Sequence, residues 1–114
     1  MISDQLRDEL LAFRKERDWE QFLNLRTLST SNALETAELM EHTQWAKDAE
    51  LPTLANEHRD TLAEEMADIA ILLTYLAHDL RVDLDTAVRQ KLVTNAAKYP
   101  VEKARGVATK YDRL

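Results

Sequence analysis

With 114 residues, one glycine, two prolines and no cysteine, the chain is sized for a single domain, 1–114. It lacks the turn residues a sheet protein needs and the thiols of a disulfide or thiolate-zinc framework. Fifteen Lys and Arg against 21 Asp and Glu give a formal charge of −6. That balance excludes the clustered positive charge of a nucleic-acid polymer binder, but not a small anionic ligand held through cations. No apolar run approaches the roughly 20 residues of a membrane span, so the expectation is an all-α, soluble, cytoplasmic protein with no membrane partner.

Ser3 is placed to N-cap a first helix reaching about Trp19, with Leu6, Leu10 and Phe13 on one stripe. Arg7, Glu9, Arg14, Lys15 and Glu16 fall mostly outside that stripe. A loop over 23–28 carries Arg26. A second helix is predicted from about Ser29–Ser31 to about Asp48, and at about 3.6 residues per turn Glu35, Glu38, His42 and Trp45 share one of its faces. Leu34, Ala37, Leu39 and Met40 surround much of the rest, so the acids do not merge into a polar surface.

The stretch 49–57 contains Pro52 and reads as a connection. A third helix begins between Asn56 and Thr61, the latter able to open a capping box with Glu64. From Met66 to Ala77 it is apolar around the whole circumference except for Asp68 and Thr74, the pattern of a central, buried helix. After a turn over 78–82, Asp83 is placed to cap a fourth helix to about Lys98. Pro100 ends that helix, and about 100–114 forms a basic tail with a turn at Gly106.

Glu65 and Asp68 repeat the i, i+3 spacing of Glu35 and Glu38. On most helices such a pair is simply a solvated face. The setting of Asp68 argues otherwise, because an ionised carboxylate buried in MADIAILL needs a positive partner or a metal, and no Lys or Arg lies between Arg59 and Arg81. Four oxygen donors select a hard ion such as Mg²⁺, with Mn²⁺ as a substitute, and such ions commonly work beside phosphate. The lone glycine excludes a phosphate-cradling P-loop, and His42, His58 and His78 form no paired-histidine zinc motif. Each histidine reads as a surface or packing residue. Trp45 is either core packing or a platform for a flat base, and Lys91, Asn95 and Tyr99 form a polar stripe at intervals of four on the fourth helix.

Together RDWEQF (17–22), Glu35-x-x-Glu38, Trp45, Glu65-x-x-Asp68, VDLDTAV (82–88) and KLVTNAAKYPVEKARG (91–106) resemble the MazG-like all-α nucleoside triphosphate pyrophosphohydrolases. The likeness is to the small single-domain branch that includes dCTP pyrophosphatases. It implies a four-helix-bundle-like fold assembling as a homodimer or dimer of dimers, with sites built partly at subunit contacts. It also implies Mg²⁺-dependent hydrolysis of a (deoxy)nucleoside triphosphate, dCTP or a modified relative first, to the monophosphate and pyrophosphate in nucleotide-pool house-cleaning.

Residue by residue, the resemblance makes Glu35, Glu38, Glu65 and Asp68 the metal ligands, with Glu35 and Glu38 catalytic. Trp19 and Trp45 line a base pocket, Arg26 supplies a basic group, and Lys91, Asn95, Lys98 and Tyr99 contact phosphate or sugar. Leu23, Leu25, Thr27 and Leu72 depart from the family pattern in the pocket and its loop. The same fold also serves dUTPase-like and phosphoribosyl-ATP pyrophosphohydrolase chemistry. A non-catalytic nucleotide-sensing regulator is the reading from a different class.

Overall fold

A computed structural model describes all residues, 1–114, and every regular element in it is helical. The helices are α1 (Asp4–Glu16), α2 (Leu25–Glu41), α3 (Leu51–Glu57), α4 (Arg59–Asp79), α5 (Leu84–Lys98) and α6 (Val101–Ala104), with 3₁₀ turns over Asp48–Glu50 and Tyr111–Arg113. The backbone divides into two compact units, Ile2–Arg81 and Val82–Leu114, the second including Met1.

The first unit is organised on α4, against which α1, α2 and α3 pack, α2 most extensively. The Ser3 hydroxyl accepts from the Leu6 amide and starts α1 as expected. The chain leaves α1 at Glu16, before Trp19, with Asp18 in the left-handed region (φ 54°).

α2 begins four to six residues earlier than predicted. Asn24 caps it: its side chain accepts from Thr27 N while Thr27 Oγ1 accepts from Asn24 N, a reciprocal pair that satisfies two groups at the helix start. Arg26 therefore lies in the first turn of α2, not in a loop. The far end also differs, because α2 stops at Glu41 and 42–45 form a turn. There the Thr43 amide and hydroxyl both donate to the Met40 carbonyl, at 3.1 and 3.2 Å, closing the helix without glycine or proline.

Pro52 stands in the first turn of α3, where its missing N–H costs nothing, so the expected connection is itself helical. α4 then starts at Arg59, ahead of Thr61, which forms no capping box. Its burial is confined to the C-terminal half: Thr74, Tyr75 and Ala77 are buried, whereas Met66 is 59% exposed. The expectation of burial all round is thus corrected, since α1, α2 and α3 do not cover the whole circumference.

The charged residue that is buried is Arg14, which the sequence reading placed outside the packing stripe. It lies one helical step beyond Leu10 on the same face. Its guanidinium holds Asp79 through two bonds of 3.1 and 2.6 Å and lies over the Tyr75 ring at 4.8 Å. The Tyr75 hydroxyl donates to the Leu10 carbonyl at 2.9 Å. These contacts fasten α1 to the C-terminal half of α4.

In the second unit Asp83 caps α5 by accepting from the Thr86 amide, as predicted. The expected tail turns at Gly106, whose φ of 76° is open to glycine at no steric cost, and contains the short α6 and a 3₁₀ turn. Tyr99 and Tyr111 meet edge to face with centroids 6.1 Å apart, and Lys98 Nζ lies 4.6 Å above the Tyr111 ring.

Candidate active site

The α2–α4 pairing brings together the two acid pairs read from the sequence. Burial pushes the Glu35 carboxyl above its ordinary pKa, reinforced by repulsion from Glu38 on its own helix and from Asp68 and Glu65 on α4. Two oxygens, Glu35 Oε2 and Glu65 Oε2, are inaccessible to solvent and have no hydrogen-bond partner. Asp68 is exposed, correcting the expectation that its helix buries it.

Beside these groups lies an open cleft of about 420 Å³ lined by Glu38, Glu41, His42 and Glu65. Two of the four were not assigned to the site from sequence. Glu41 continues the i, i+3 row of Glu35 and Glu38, and that third member of the row was the available signal. His42 Nε2 lies 2.9 Å from Glu65 Oε2, with side-chain exposures of 19% and 15%, so His42 is not the surface or packing residue expected. The ring of His58 stands 5.8 Å from that of His42.

The donors are chemically suited to a hard divalent cation: four carboxylates near one another, two of their oxygens stripped of water and without a hydrogen bond. No three of the chain's acidic and histidine side chains already enclose a position for an ion. Glu38, Glu41 and Asp68 are exposed.

The aromatic and basic residues are distributed differently. Trp45 sits in the turn after α2 and is 88% exposed, so it does not continue the Glu35 and Glu38 face as the helical spacing had suggested. Trp19 follows α1, edge-on to Phe13 with centroids 5.7 Å apart. Neither tryptophan nor Arg26 lines the cleft. Lys91, Asn95 and Lys98 lie on α5, with Tyr99 at its C-cap, all within the second unit and all exposed.

Comparison with known proteins bears on this arrangement directly. The model of the MazG-like family matches residues 30–114, which include both acid pairs and all of α5. The chain belongs to the MazG-like family. It is 44% identical over 104 residues to dCTP pyrophosphatase 1 of Rattus norvegicus and 40% identical over 104 residues to dCTP pyrophosphatase 1 of Homo sapiens. Each match covers 90% of this chain and 61% of the relative, so the chain spans about six tenths of the length of these curated relatives. The crystal structure of a pyrophosphatase from Archaeoglobus fulgidus superposes with a TM-score of 0.83 at 32% identity, covering 85% of this chain and 91% of that one. The all-α fold implied by the sequence motifs is therefore the observed one.

Proposed function

We propose that the protein is a Mg²⁺-dependent pyrophosphohydrolase of deoxynucleoside triphosphates, with dCTP or a modified relative as the first candidate, acting in the cytoplasm to cleanse the nucleotide pool. The observation that carries this reading is the meeting of Glu35 and Glu38 with Glu65 and Asp68 across α2 and α4. The names of the relatives support the substrate class. No helix is long and apolar enough to cross a membrane.

In this reading Glu35, Glu38, Glu65 and Asp68 hold the ion. A bound Mg²⁺, or Mn²⁺ in its place, supplies neutralisation of phosphate charge and acidity to water. Hydrolysis joins a water oxygen to the α-phosphorus, breaks the bond from that phosphorus to the bridging oxygen, and releases pyrophosphate. Glu35 and Glu38 are the groups suited to take the proton that water gives up. Lys91, Lys98 and Arg26 supply positive charge for the phosphates, Asn95 and Tyr99 supply polar contacts to phosphate or sugar, and Trp19 and Trp45 offer faces for the base.

Self-association into a dimer or dimer of dimers belongs to the same proposal. Large apolar side chains remain uncovered on α2 and α4 (Leu34 at 61%, Met40 at 65%, Met66 at 59%) and on α5 (Leu92 at 67%, Val93 at 72%).

A panel of ribo- and deoxynucleoside triphosphates with Mg²⁺, resolved into monophosphate plus pyrophosphate or diphosphate plus phosphate, tests the reading. Monophosphate and pyrophosphate from a deoxycytidine substrate is the expected outcome. Tight nucleotide binding with no turnover at any Mg²⁺ concentration would replace it with a non-catalytic sensor.

A further inference from the structure

We infer that Phe13 is a positioning residue for the nucleotide base: its ring, braced by Arg17, fixes the plane of Trp19 before substrate arrives. This role rests on the reading of Trp19 as a face for the base, and it names what holds that face.

Phe13 belongs to the apolar stripe of α1, yet it is exposed and stands outside the buried core. It meets Trp19 instead, with centroids 5.7 Å apart and ring planes at 73°, the edge-to-face arrangement that aromatic quadrupoles favour. Arg17, one helical step beyond Phe13, donates from Nη1 to the Phe13 carbonyl at 3.0 Å. Its guanidinium carbon lies 3.6 Å from the centroid of the Phe13 ring, a cation–π contact. Arg17 thus restrains Phe13, and Phe13 restrains Trp19.

The backbone beneath Trp19 is fixed as closely. Asp18 takes the left-handed conformation, which costs a residue that carries a Cβ, and Gln21 Nε2 donates to its carbonyl at 3.0 Å and to its Oδ2 at 2.8 Å. The Trp19 amide donates to the Arg14 carbonyl at 3.0 Å, and the Trp19 carbonyl accepts from the Phe22 and Leu23 amides at 2.9 and 3.2 Å. Arg14 is bonded in turn to Asp79, so the turn that carries Trp19 is anchored on the buried half of α4. Even so, 45% of Trp19 stays exposed. A ring mounted this firmly but left half uncovered loses little freedom when a flat base is laid against it, which is the advantage of preorganisation.

The test compares Phe13→Leu with Phe13→Tyr in the full chain. The protein has two tryptophans, so in a Trp45→Phe background the indole emission reports Trp19 alone. Time-resolved anisotropy of that emission, without nucleotide, should show the Trp19 ring gaining fast local motion in Phe13→Leu and staying held in Phe13→Tyr. With Trp45 present, KM for the triphosphate turned over best should rise about fivefold in Phe13→Leu, with kcat changed less than about twofold. Phe13→Tyr should restore KM, and preference among bases should flatten in Phe13→Leu only. Ring motion unchanged in Phe13→Leu, or freed with KM unmoved, overturns the role of Phe13. Trp19→Ala separates this role from the reading beneath it. An unchanged KM in Trp19→Ala removes Trp19 from the base site and the assignment of Phe13 with it, whereas a raised KM there beside an unmoved one in Phe13→Leu overturns Phe13 alone.

Discussion

Replacing Arg14 by Met tests the claim that α1 is fastened to α4 through one buried cation. Arg14 has 6% of its side chain exposed and Asp79 has 33%, so the substitution strands a carboxylate that is mostly, not wholly, removed from water. Breaking a fully buried pair from one side costs about 3–5 kcal/mol, and the residual solvation of Asp79 puts this case near the lower end, at about 3 kcal/mol. Loss of the guanidinium from the Tyr75 face acts in the same direction. With an unfolding entropy of about 2.1 cal/mol/K per residue, the fall in Tm is about 12 °C. Thermal unfolding followed by far-UV circular dichroism reads the change. The double variant Arg14→Met/Asp79→Leu, which leaves no unpaired charge, should lose less than the sum of its two single substitutions. A Tm within about 3 °C of the unsubstituted protein for Arg14→Met would refute the idea that this pair carries the α1–α4 contact.

Four further outcomes follow from the same geometry. Glu38→Gln and Asp68→Asn should each abolish triphosphate turnover without unfolding the protein or lowering its Tm, since each removes a charge that repels Glu35; full activity in both would remove the acids from the chemistry. Glu35→Gln should raise the Tm of the metal-free protein at neutral pH. A raised pKa in the fold means stability is complete below the ordinary carboxylate value and declines as pH climbs through the raised one, so the variant should show a flatter Tm-against-pH curve. Trp45→Ala should raise KM or blur base preference with almost no change in Tm, because its side chain is 88% exposed; a large Tm loss would place it in a packing role instead. Leu28→Ala removes a side chain with no exposed surface and should cost about 3 kcal/mol in chemical denaturation.

What the sequence made legible depended on whether one helix was enough to decide the matter. The acid pairs were readable because i, i+3 spacing is a property of a single helix, and the Ser3 and Asp83 caps because a capping side chain reaches only its own first turn. The run from Met66 to Ala77 was misjudged because hydropathy reports what a surface would prefer and not how much of it neighbouring helices cover. Arg14 was misjudged for the complementary reason: its partner, Asp79, is 65 positions away. Trp45 fell off the expected face because α2 is closed by Thr43 turning back on Met40, a terminator that carries none of the usual glycine or proline signal. His42 was placed on the acid face by its spacing but read as a surface or packing residue, since what distinguishes it is its distance to Glu65 on another helix.

The two halves of α4 do opposed things, and the opposition gives the acid cluster its meaning. Toward the C-terminus, Tyr75 and Asp79 are bonded to α1, and the buried Thr74, Tyr75 and Ala77 sit on that half. About 15 Å along the axis toward the N-terminus, Glu65 and Asp68 face Glu35 and Glu38 with two buried oxygens unpaired. Such an arrangement opposes folding of the metal-free chain, because every member repels Glu35 and none supplies the missing donor. A divalent cation reverses the sign of that repulsion, and whatever binds only the folded state stabilises it by mass action. On the proposed reading, the half of α4 bonded to α1 keeps the repelling half assembled until an ion binds. That division explains how the acids can lie on a regular helix pair with no Lys or Arg lining the cleft beside them.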